Sequence, residues 1–294
     1  MPNTIAEKLS QVEARLIASD LVFGQGSLDA FDESLWLVGY VLKIQNQADW
    51  DESQILDQHQ ENQIDGLLDR RCDTKAPLAY LINQSWFAGY SFFVDERVII
   101  PRSYLSEWVL EHFEPWVNSQ EIKNVLDLCC GCGCIGISTA LELPHTQVTL
   151  CDLSEQALEV ANINVAHYAL ESRVSVVQGD LFEGLNEQSF DLILCNPPYV
   201  SSQRMENLPD TFKLEPSLAF AGGEDGLDFI RRFLKQATDY LSEDGVVLLE
   251  AGSASNALES EFEEIPFTWL STEYDEMVIC ILTRQELEQY KVLF

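Results

Sequence analysis

At 294 residues the chain is long enough for one large domain or two smaller ones, and its 46% hydrophobic and 22% charged residues are ordinary for a soluble globular protein. No apolar run approaches the roughly 20 residues that span a bilayer, and the N-terminus lacks the basic-then-apolar pattern of a secretion signal, so we expect a cytoplasmic protein. Lys and Arg number 17 against 49 Asp and Glu, and this formal net charge of −32 disfavours a duplex nucleic acid as substrate and favours a basic partner.

Residues 1–84 are predicted to form a small helical domain. Apolar residues recur at helical spacing, and Ser27 or Asp29 is suited to cap the second helix. Pro77 breaks the helical pattern near the end of the domain. The predicted helices cover residues 4–21, 27–44 and a segment that begins near Glu52.

Residues 85–103 are predicted to form a hairpin or an extended connector, because aromatic and β-branched residues flank a turn at Asp95-Glu96. From residue 104 to 294, strands alternate with helices, which predicts an α/β domain with a doubly wound, mostly parallel sheet. The last two predicted strands are joined by a short loop, so we expect one strand of the sheet to be antiparallel. The predicted strands are Asn124–Leu128, Gln147–Asp152, Val174–Gln178, 191–195, 246–250, 267–271 and 276–283.

The stretch VLDLCCGCGCIGI, residues 125–137, contains four of the eight cysteines. Cys129 and Cys132 have the C-x-x-C spacing of a metal site or a redox pair. Structural zinc sites usually draw on two separated ligand pairs, however, and no second pair follows in the sequence. We therefore expect no metal, and free thiols in a reducing cytosol.

The glycines of the same stretch predict a cofactor site. Gly131 and Gly133 begin a G-x-G-x-x-G pattern after a predicted strand and at the start of a predicted helix. Asp152 ends the second strand, where a carboxylate can bind ribose hydroxyls. The pattern alone fits both NAD and S-adenosylmethionine (SAM). Asp127 favours SAM, because a carboxylate there attracts an ammonium and repels a pyrophosphate, although it could also be a strand-end cap. Asp180 ends the third strand and is expected beside the adenine, or as the cap of a turn.

The stretch FDLILCNPPYV, residues 190–200, is the most informative about chemistry. Pro197 and Pro198 stiffen the turn after a buried strand and leave its carbonyls free to accept hydrogen bonds. Asn196 adds a side-chain carbonyl, and Tyr199 offers a flat face. Together they could hold both N–H bonds of a planar NH₂ group and aim its nitrogen at an electrophile. An ordinary turn after a strand is the alternative interpretation.

The N-P-P-Y motif after the fourth strand resembles class I SAM-dependent methyltransferases that act on planar NH₂ groups. Two branches share it, the N6-adenine DNA methyltransferases and the N5-glutamine protein methyltransferases. The stretches RRCDTKAPLAYLINQSWFAGYSFFVDERVIIPRS and LEPSLAFAGGEDGLDFIRRFL resemble the glutamine branch. WFAGYSFFVDERVIIPRS and PFTWLSTEYD are similar to its members that modify the large-subunit ribosomal protein L-three. The resemblance runs from about residue 20 to 290.

This resemblance implies a seven-stranded, Rossmann-like methyltransferase domain at residues 104–294, a helical substrate-binding domain at 1–84, and SAM as cofactor. It implies methylation of a glutamine side-chain nitrogen in protein L-three. The implied catalytic residues are Asn196, Pro197 and Tyr199. The expected cofactor-binding residues are Asp127, Cys129, Gly131, Gly133, Asp152, Asp180 and Asn196. Cys130 and Cys132 replace the hydroxyl residues of the family's usual Cys-Thr-Gly-Ser-Gly-Cys loop, so a hydroxyl contact to the SAM carboxylate is expected to be lost or weakened.

Three alternatives remain at this point. An enzyme for peptide chain release factors would have identical chemistry. A DNA adenine methyltransferase would need a basic track for phosphates, which the charge of −32 disfavours. A methyltransferase fold kept only for binding would not need the intact 196–199 motif.

Overall fold

The computed structural model describes residues 2–44, 49–186, 188–272 and 277–294. The chain divides into two compact units. The first comprises Met1–Gln84 and Pro209–Leu214, and the second comprises Ser85–Leu208 and Glu215–Phe294. This division differs from the expected one in two places. Residues 85–103 belong to the second unit instead of forming a separate connector, and residues 209–214 group with the helical unit.

The first unit is helical. Its helices are α1 (Ile5–Ala18), α2 (Ala30–Leu42), α3 (Gln58–Thr74) and α4 (Leu78–Ile82). Asp29 caps α2 by accepting the Asp32 N–H. The prediction that α3 begins near residue 52 is wrong, because residues 52 and 53 lie in a turn, Ile55 forms an antiparallel bridge with Thr4, and Asp57 caps the helix.

The second unit begins with a hairpin of β1 (Ser85–Phe87) and β2 (Tyr90–Phe92). Its two-residue turn is Ala88-Gly89, where both residues have positive φ, 49° and 78°. The predicted hairpin turn at Asp95-Glu96 is therefore wrong. Asp95 does form a local turn, in which it accepts the Val98 N–H through its carbonyl and pairs with Arg97 at 2.6 Å, but no strand follows.

Among the described residues, the larger sheet has seven strands in the order β5-β4-β3-β6-β7-β9-β8. All neighbours are parallel except β9, which is antiparallel to both β7 and β8. The sheet confirms the predicted α/β, Rossmann-like class. Its strands are β3 (Asn124–Leu128), β4 (Gln147–Asp152), β5 (Val174–Gln178), β6 (Phe190–Cys195), β7 (Leu241–Glu250), β8 (Thr268–Leu270) and β9 (Ile279–Thr283).

Helices connect these strands, and the strands supply much of the unit's buried apolar core. The helices are α5 (Leu105–Leu110), α6 (Cys134–Glu142), α7 (Glu155–His167), α8 (Ser202–Glu206), α9 (Asp228–Ala237), α10 (Ser255–Glu261) and α11 (Arg284–Gln289). None of the helices described is both long and apolar enough to cross a bilayer. Because the five neighbouring strands from β5 to β7 are parallel, the loops that follow them meet at one edge of the sheet.

Candidate active site at the carboxyl edge of the sheet

Neighbouring parallel strands end in register, which brings distant parts of the sequence together. The residues paired across the sheet are Cys151 of β4, Leu128 of β3, Cys195 of β6 and Leu249 of β7. The residues that follow them are Asp152, Cys129, Asn196 and Glu250. The glycine stretch and the Asn-Pro-Pro-Tyr turn therefore leave the sheet side by side, as two adjacent parallel strands require.

The glycines of the 131–136 stretch serve two purposes. A Cβ on Gly133 would lie 2.9 Å from Leu150 Cδ1, and one on Gly136 would lie 2.4 Å from Leu150 Cδ2, so both glycines let α6 pack directly on β4. Gly131 differs, because the nearest atom to its Cβ position is Ile99 Cγ2 at 3.9 Å. With φ values of 55° and 81°, Gly131 and Gly133 also occupy the left-handed region. The backbone at Gly131 therefore has room for close approach by a ligand.

Asp127 is fully buried, and only one of its oxygens has a protein partner. Its Oδ2 accepts the Gly136 N–H at 2.8 Å, whereas Oδ1 has no hydrogen-bond partner within the described parts of the chain. Burial raises the pKa of Asp127 to about 7, the Gly136 N–H lowers it, and the Asp152 charge raises it. An unpaired buried carboxylate oxygen is costly, so Oδ1 is suited to a cationic group of a ligand.

Asp152 braces the glycine loop. Its Oδ2 accepts the Gly131 N–H and its Oδ1 accepts the Ser154 N–H, both at 2.8 Å. Burial raises the pKa of Asp152, and these backbone N–H groups lower it. A carboxylate has further lone pairs, so both oxygens can still accept from hydroxyl groups. The sequence predicts the ribose contact but carries no signal for this second, structural task.

Asp180 lies two residues beyond β5, at the same edge of the sheet. Its Oδ2 accepts from Arg232 Nη2 at 2.7 Å, and 37% of its side chain is exposed. The carboxylate expected near an adenine is thus held in an exposed ion pair with a residue of α9, a partner that the sequence analysis did not anticipate.

The turn after β6 is anchored by its backbone and leaves one carboxamide free. Within the described residues, the Asn196 side chain makes no hydrogen bond, and it is half-buried. Val200 donates its N–H to the Phe220 carbonyl at 2.8 Å. A Cβ on Gly226 would lie 2.4 Å from the Tyr199 carbonyl oxygen, so this glycine permits the close backbone contact. The turn therefore presents the Asn196 amide from a fixed backbone.

The Tyr199 side chain is hydrogen-bonded to a buried carboxylate, Glu250, which the sequence analysis did not single out. Its hydroxyl donates to Glu250 Oε1 at 3.0 Å, and Glu250 Oε2 accepts from Ser103 Oγ at 2.6 Å and from the Tyr104 N–H at 3.1 Å. Burial raises the pKa of Glu250 to about 7, while these hydrogen bonds lower it. The available signal was an acidic residue ending an apolar strand, VVLLE, much as Asp152 ends VTLCD.

A buried ion pair joins two of the stretches that carried the resemblance. Glu215 is buried and accepts from Arg102 Nη1 and Nη2, both at 2.9 Å, and from the Ile100 N–H at 2.9 Å. The Arg102 guanidinium also lies 5.4 Å from the centroid of the Phe220 ring. The IIPR segment is thereby tied to the LEPSLAF segment, whose Phe220 carbonyl anchors the Asn-Pro-Pro-Tyr turn.

All eight cysteines are free thiols, including those of the glycine stretch. Cys130 and Cys132 are 4% and 2% exposed, so their side chains pack inside the protein. Burial is the largest cause that raises the pKa of Cys130. In the part of the chain that the structure describes, no group of three or more His, Cys, Asp or Glu side chains is placed to hold a metal ion.

Comparison with known proteins identifies relatives that align with nearly the whole chain. The family described as Methyltransferase small domain matches residues 106–212. A protein of Francisella tularensis is 39% identical over 99% of this chain and 94% of its own length. A protein of Bordetella pertussis is 40% identical over 97% of this chain and 96% of its own. A protein of Neisseria meningitidis serogroup B is 40% identical over 97% of this chain and 94% of its own length. Each is named ribosomal protein uL3 glutamine methyltransferase.

A solved structure agrees at the level of the fold. The catalytic domain of hMettl16, in complex with the MAT2A 3′UTR hairpin 6, superposes with a TM-score of 0.50 at 15% identity, over 79% of this chain and 85% of that one. Because identity to the curated relatives reaches 40% over 97% of the sequence, this chain belongs to the family of ribosomal protein uL3 glutamine methyltransferases.

Proposed function

We propose that this chain transfers a methyl group from SAM to the side-chain amide nitrogen of a glutamine in ribosomal protein uL3, the large-subunit protein L-three. The names of its relatives support uL3 as the substrate, and they do not favour release factors or DNA adenine. The observation that carries the chemistry is the free carboxamide of Asn196, held on an anchored turn beside the glycine stretch.

The residues at the edge of the sheet fit SAM, which supplies an electrophilic methyl group on a sulfonium. Asp127 offers a buried, unpartnered oxygen for the ammonium group. We assign the SAM carboxylate to the backbone of residues 129–133, where Gly131 leaves room for close approach, although the N–H groups of Cys130, Gly131 and Gly133 already have acceptors within the protein. Asp152 would accept from the ribose hydroxyls, and Asp180 would lie near the adenine.

On the substrate side, the chain's task is to orient a poor nucleophile. An amide nitrogen is unreactive because its lone pair is delocalised into the carbonyl. The Asn196 side-chain oxygen and the Pro197 carbonyl would accept the two N–H bonds of the glutamine, and the Tyr199 ring would pack against its plane. This fixes the nitrogen in one orientation and favours positive charge on it as the new C–N bond forms. The surplus proton leaves the nitrogen afterwards, so no strong base is needed.

The charge and the domain organisation suit this substrate. A formal net charge of −32 attracts a basic ribosomal protein and steers it towards the enzyme. We assign substrate binding to the helical residues 1–84, and we place the reaction in the cytoplasm, where free thiols persist.

The direct test combines the purified enzyme and isotope-labelled SAM with unmodified uL3, other basic ribosomal proteins and release factors. We expect label only on uL3, and mass spectrometry should locate a single methyl group on a glutamine. The other basic ribosomal proteins control for non-specific electrostatic binding. Label on a release factor, or on lysine residues of every basic protein, would contradict the proposal.

A further inference from the structure

We infer that Glu250 is a positioning residue for methyl transfer, which acts by holding the Tyr199 ring against the Asn-Pro-Pro-Tyr turn. The inference rests on the proposed function, in which Tyr199 packs against the glutamine amide. Both oxygens of Glu250 accept hydrogen bonds from protein groups, so we assign it no direct contact with the substrate.

Two contacts restrain the position of the Tyr199 ring. Its hydroxyl is held by Glu250 Oε1 at 3.0 Å. The ring also lies over Gly252, where an added Cβ would come within 2.4 Å of both Cε2 and Cζ. The hydrogen bond restrains the distal end of the side chain, and the glycine leaves space for its edge. Either contact alone would leave the ring freedom to tilt.

Glu250 is held from the opposite side by a different part of the chain. Ser103 donates its hydroxyl at 2.6 Å and Tyr104 its backbone N–H at 3.1 Å, both to Oε2. The carboxylate therefore links the segment before α5 to the end of β6 through the end of β7.

The burial of the Glu250 carboxylate is unfavourable unless the charged group has a specific role. Glu250 is 1% exposed, and burial raises its pKa to about 7. A buried charge is usually costly even when it is paired. If the site only required filled space, an apolar side chain would be more favourable. The three hydrogen-bond donors favour the ionised form of Glu250, and in that form it binds a phenol hydroxyl more strongly than a neutral acceptor would, which favours a rigid ring.

The test is a double-mutant cycle with Glu250→Gln, Tyr199→Phe and the double variant, assayed with uL3 and SAM. Glutamine keeps the shape of Glu250 but weakens the bond to the tyrosine. We expect kcat to fall about 10- to 100-fold in each single variant, the scale of a displacement near 1 Å. The KM for SAM should stay within twofold of wild type, and the double variant should be no slower than the slower single variant. Gly252→Ala, which pushes the ring directly, should lower kcat similarly with Glu250 intact.

Thr146→Val is the matched control, because the Thr146 hydroxyl is also buried and donates to the Leu143 carbonyl at 2.9 Å, just before β4 begins and at the opposite edge of the sheet. It should lower thermal stability without changing kcat. Wild-type turnover of uL3 tests the proposed function, whereas the ratios between variants test this inference. The same cycle is also followed by thermal unfolding without substrate, where the contact predicts non-additive shifts. An unchanged kcat in Glu250→Gln, or losses that multiply in the double variant, would overturn the inference, as would additive unfolding shifts.

Discussion

Asp127 and Glu250 are two buried carboxylates at the same edge of the sheet, and they differ in how many of their oxygens have hydrogen-bond partners within the protein. Both are at most 1% exposed, and burial raises the pKa of each to about 7. Protein donors occupy both oxygens of Glu250, from Ser103, Tyr104 and Tyr199. Asp127 has one donor, Gly136, and one oxygen without a partner among the described residues.

The difference shows how two groups of similar burial and pKa serve different purposes. A carboxylate whose hydrogen bonds are complete stabilises the surrounding protein, and ligand binding can change it little. A carboxylate with an unpaired buried oxygen carries a cost that a ligand cation removes. We therefore assign Asp127 to the cofactor half of the site and Glu250 to the support of the substrate half. The predictions below ask whether the two halves can be separated.

The largest effect is expected on the substrate half. Asn196→Ala removes the free carboxamide, so the glutamine nitrogen loses one of its two acceptors. We expect kcat with uL3 to fall about 100- to 1,000-fold, as for removal of one aligned hydrogen-bonding group at a reacting centre. SAM binding measured by calorimetry should change less than threefold. Asn256→Ala on α10, where the side chain is exposed, is the control. Equal losses in kcat and in SAM affinity would mean that the two halves are not separable.

An intermediate effect is expected at Asp127, and it should depend on pH. Pairing with an ammonium favours the charged carboxylate, so SAM binding should lower the pKa of Asp127 from about 7 and release a proton. Affinity should therefore rise as the pH increases towards 7. It should fall again when the amino group of SAM loses its own proton, near the α-amino value of about 7.7–8.0.

Asp127→Asn should remove the acidic limb of this profile and weaken binding about 10- to 100-fold at pH 7, since one charged hydrogen bond is lost. Calorimetry in buffers of different ionisation enthalpy measures both the affinity and the released proton. Asp244→Asn, at an exposed carboxylate, should leave the profile unchanged. A wild-type affinity that is constant between pH 5.5 and 7 would remove Asp127 from the ammonium site.

The smallest effect is expected at the cysteines of the glycine loop. Because Cys130 is buried, Cys130→Ser should change SAM affinity less than threefold, although the residue lies within the cofactor loop. Stability should fall by about 1–3 kcal/mol, because a buried hydroxyl is more costly to desolvate than a thiol and the one acceptor near residue 130, the Gly131 carbonyl, lies 3.8 Å from the thiol. Cys280→Ser, a buried cysteine in β9, should lower the melting temperature without affecting SAM. A large gain in SAM affinity for Cys130→Ser would show that a hydroxyl at residue 130 does reach the cofactor.

Strands β3, β4 and β5 were predictable because each is a short apolar run with a polar residue at or next to its end. The bounds of β3, β4 and β5 match the prediction, since their ends are marked by Asp127-Leu128, Asp152 and Gln178. The prediction placed the hairpin turn at Asp95-Glu96, whereas the structure has it at Ala88-Gly89. The error arose because two adjacent charged residues indicate a turn as strongly as one glycine does. The start of α3 was misplaced because the Thr4–Ile55 bridge is a contact between distant residues, which local periodicity cannot reveal.

The sequence by itself determined the class of fold, the glycine stretch, the Asn-Pro-Pro-Tyr turn and the family, because each depends on residues that are close together along the chain or on a pattern of strands and helices. Only the tertiary structure decided that Asp152 braces Gly131, that Asp180 pairs with Arg232, and that Glu250 lies beneath Tyr199. These contacts join residues 21, 52 and 51 positions apart. They depend on the register of the parallel strands and on the packing of α9 and the turn after β6, which no local pattern in the sequence encodes.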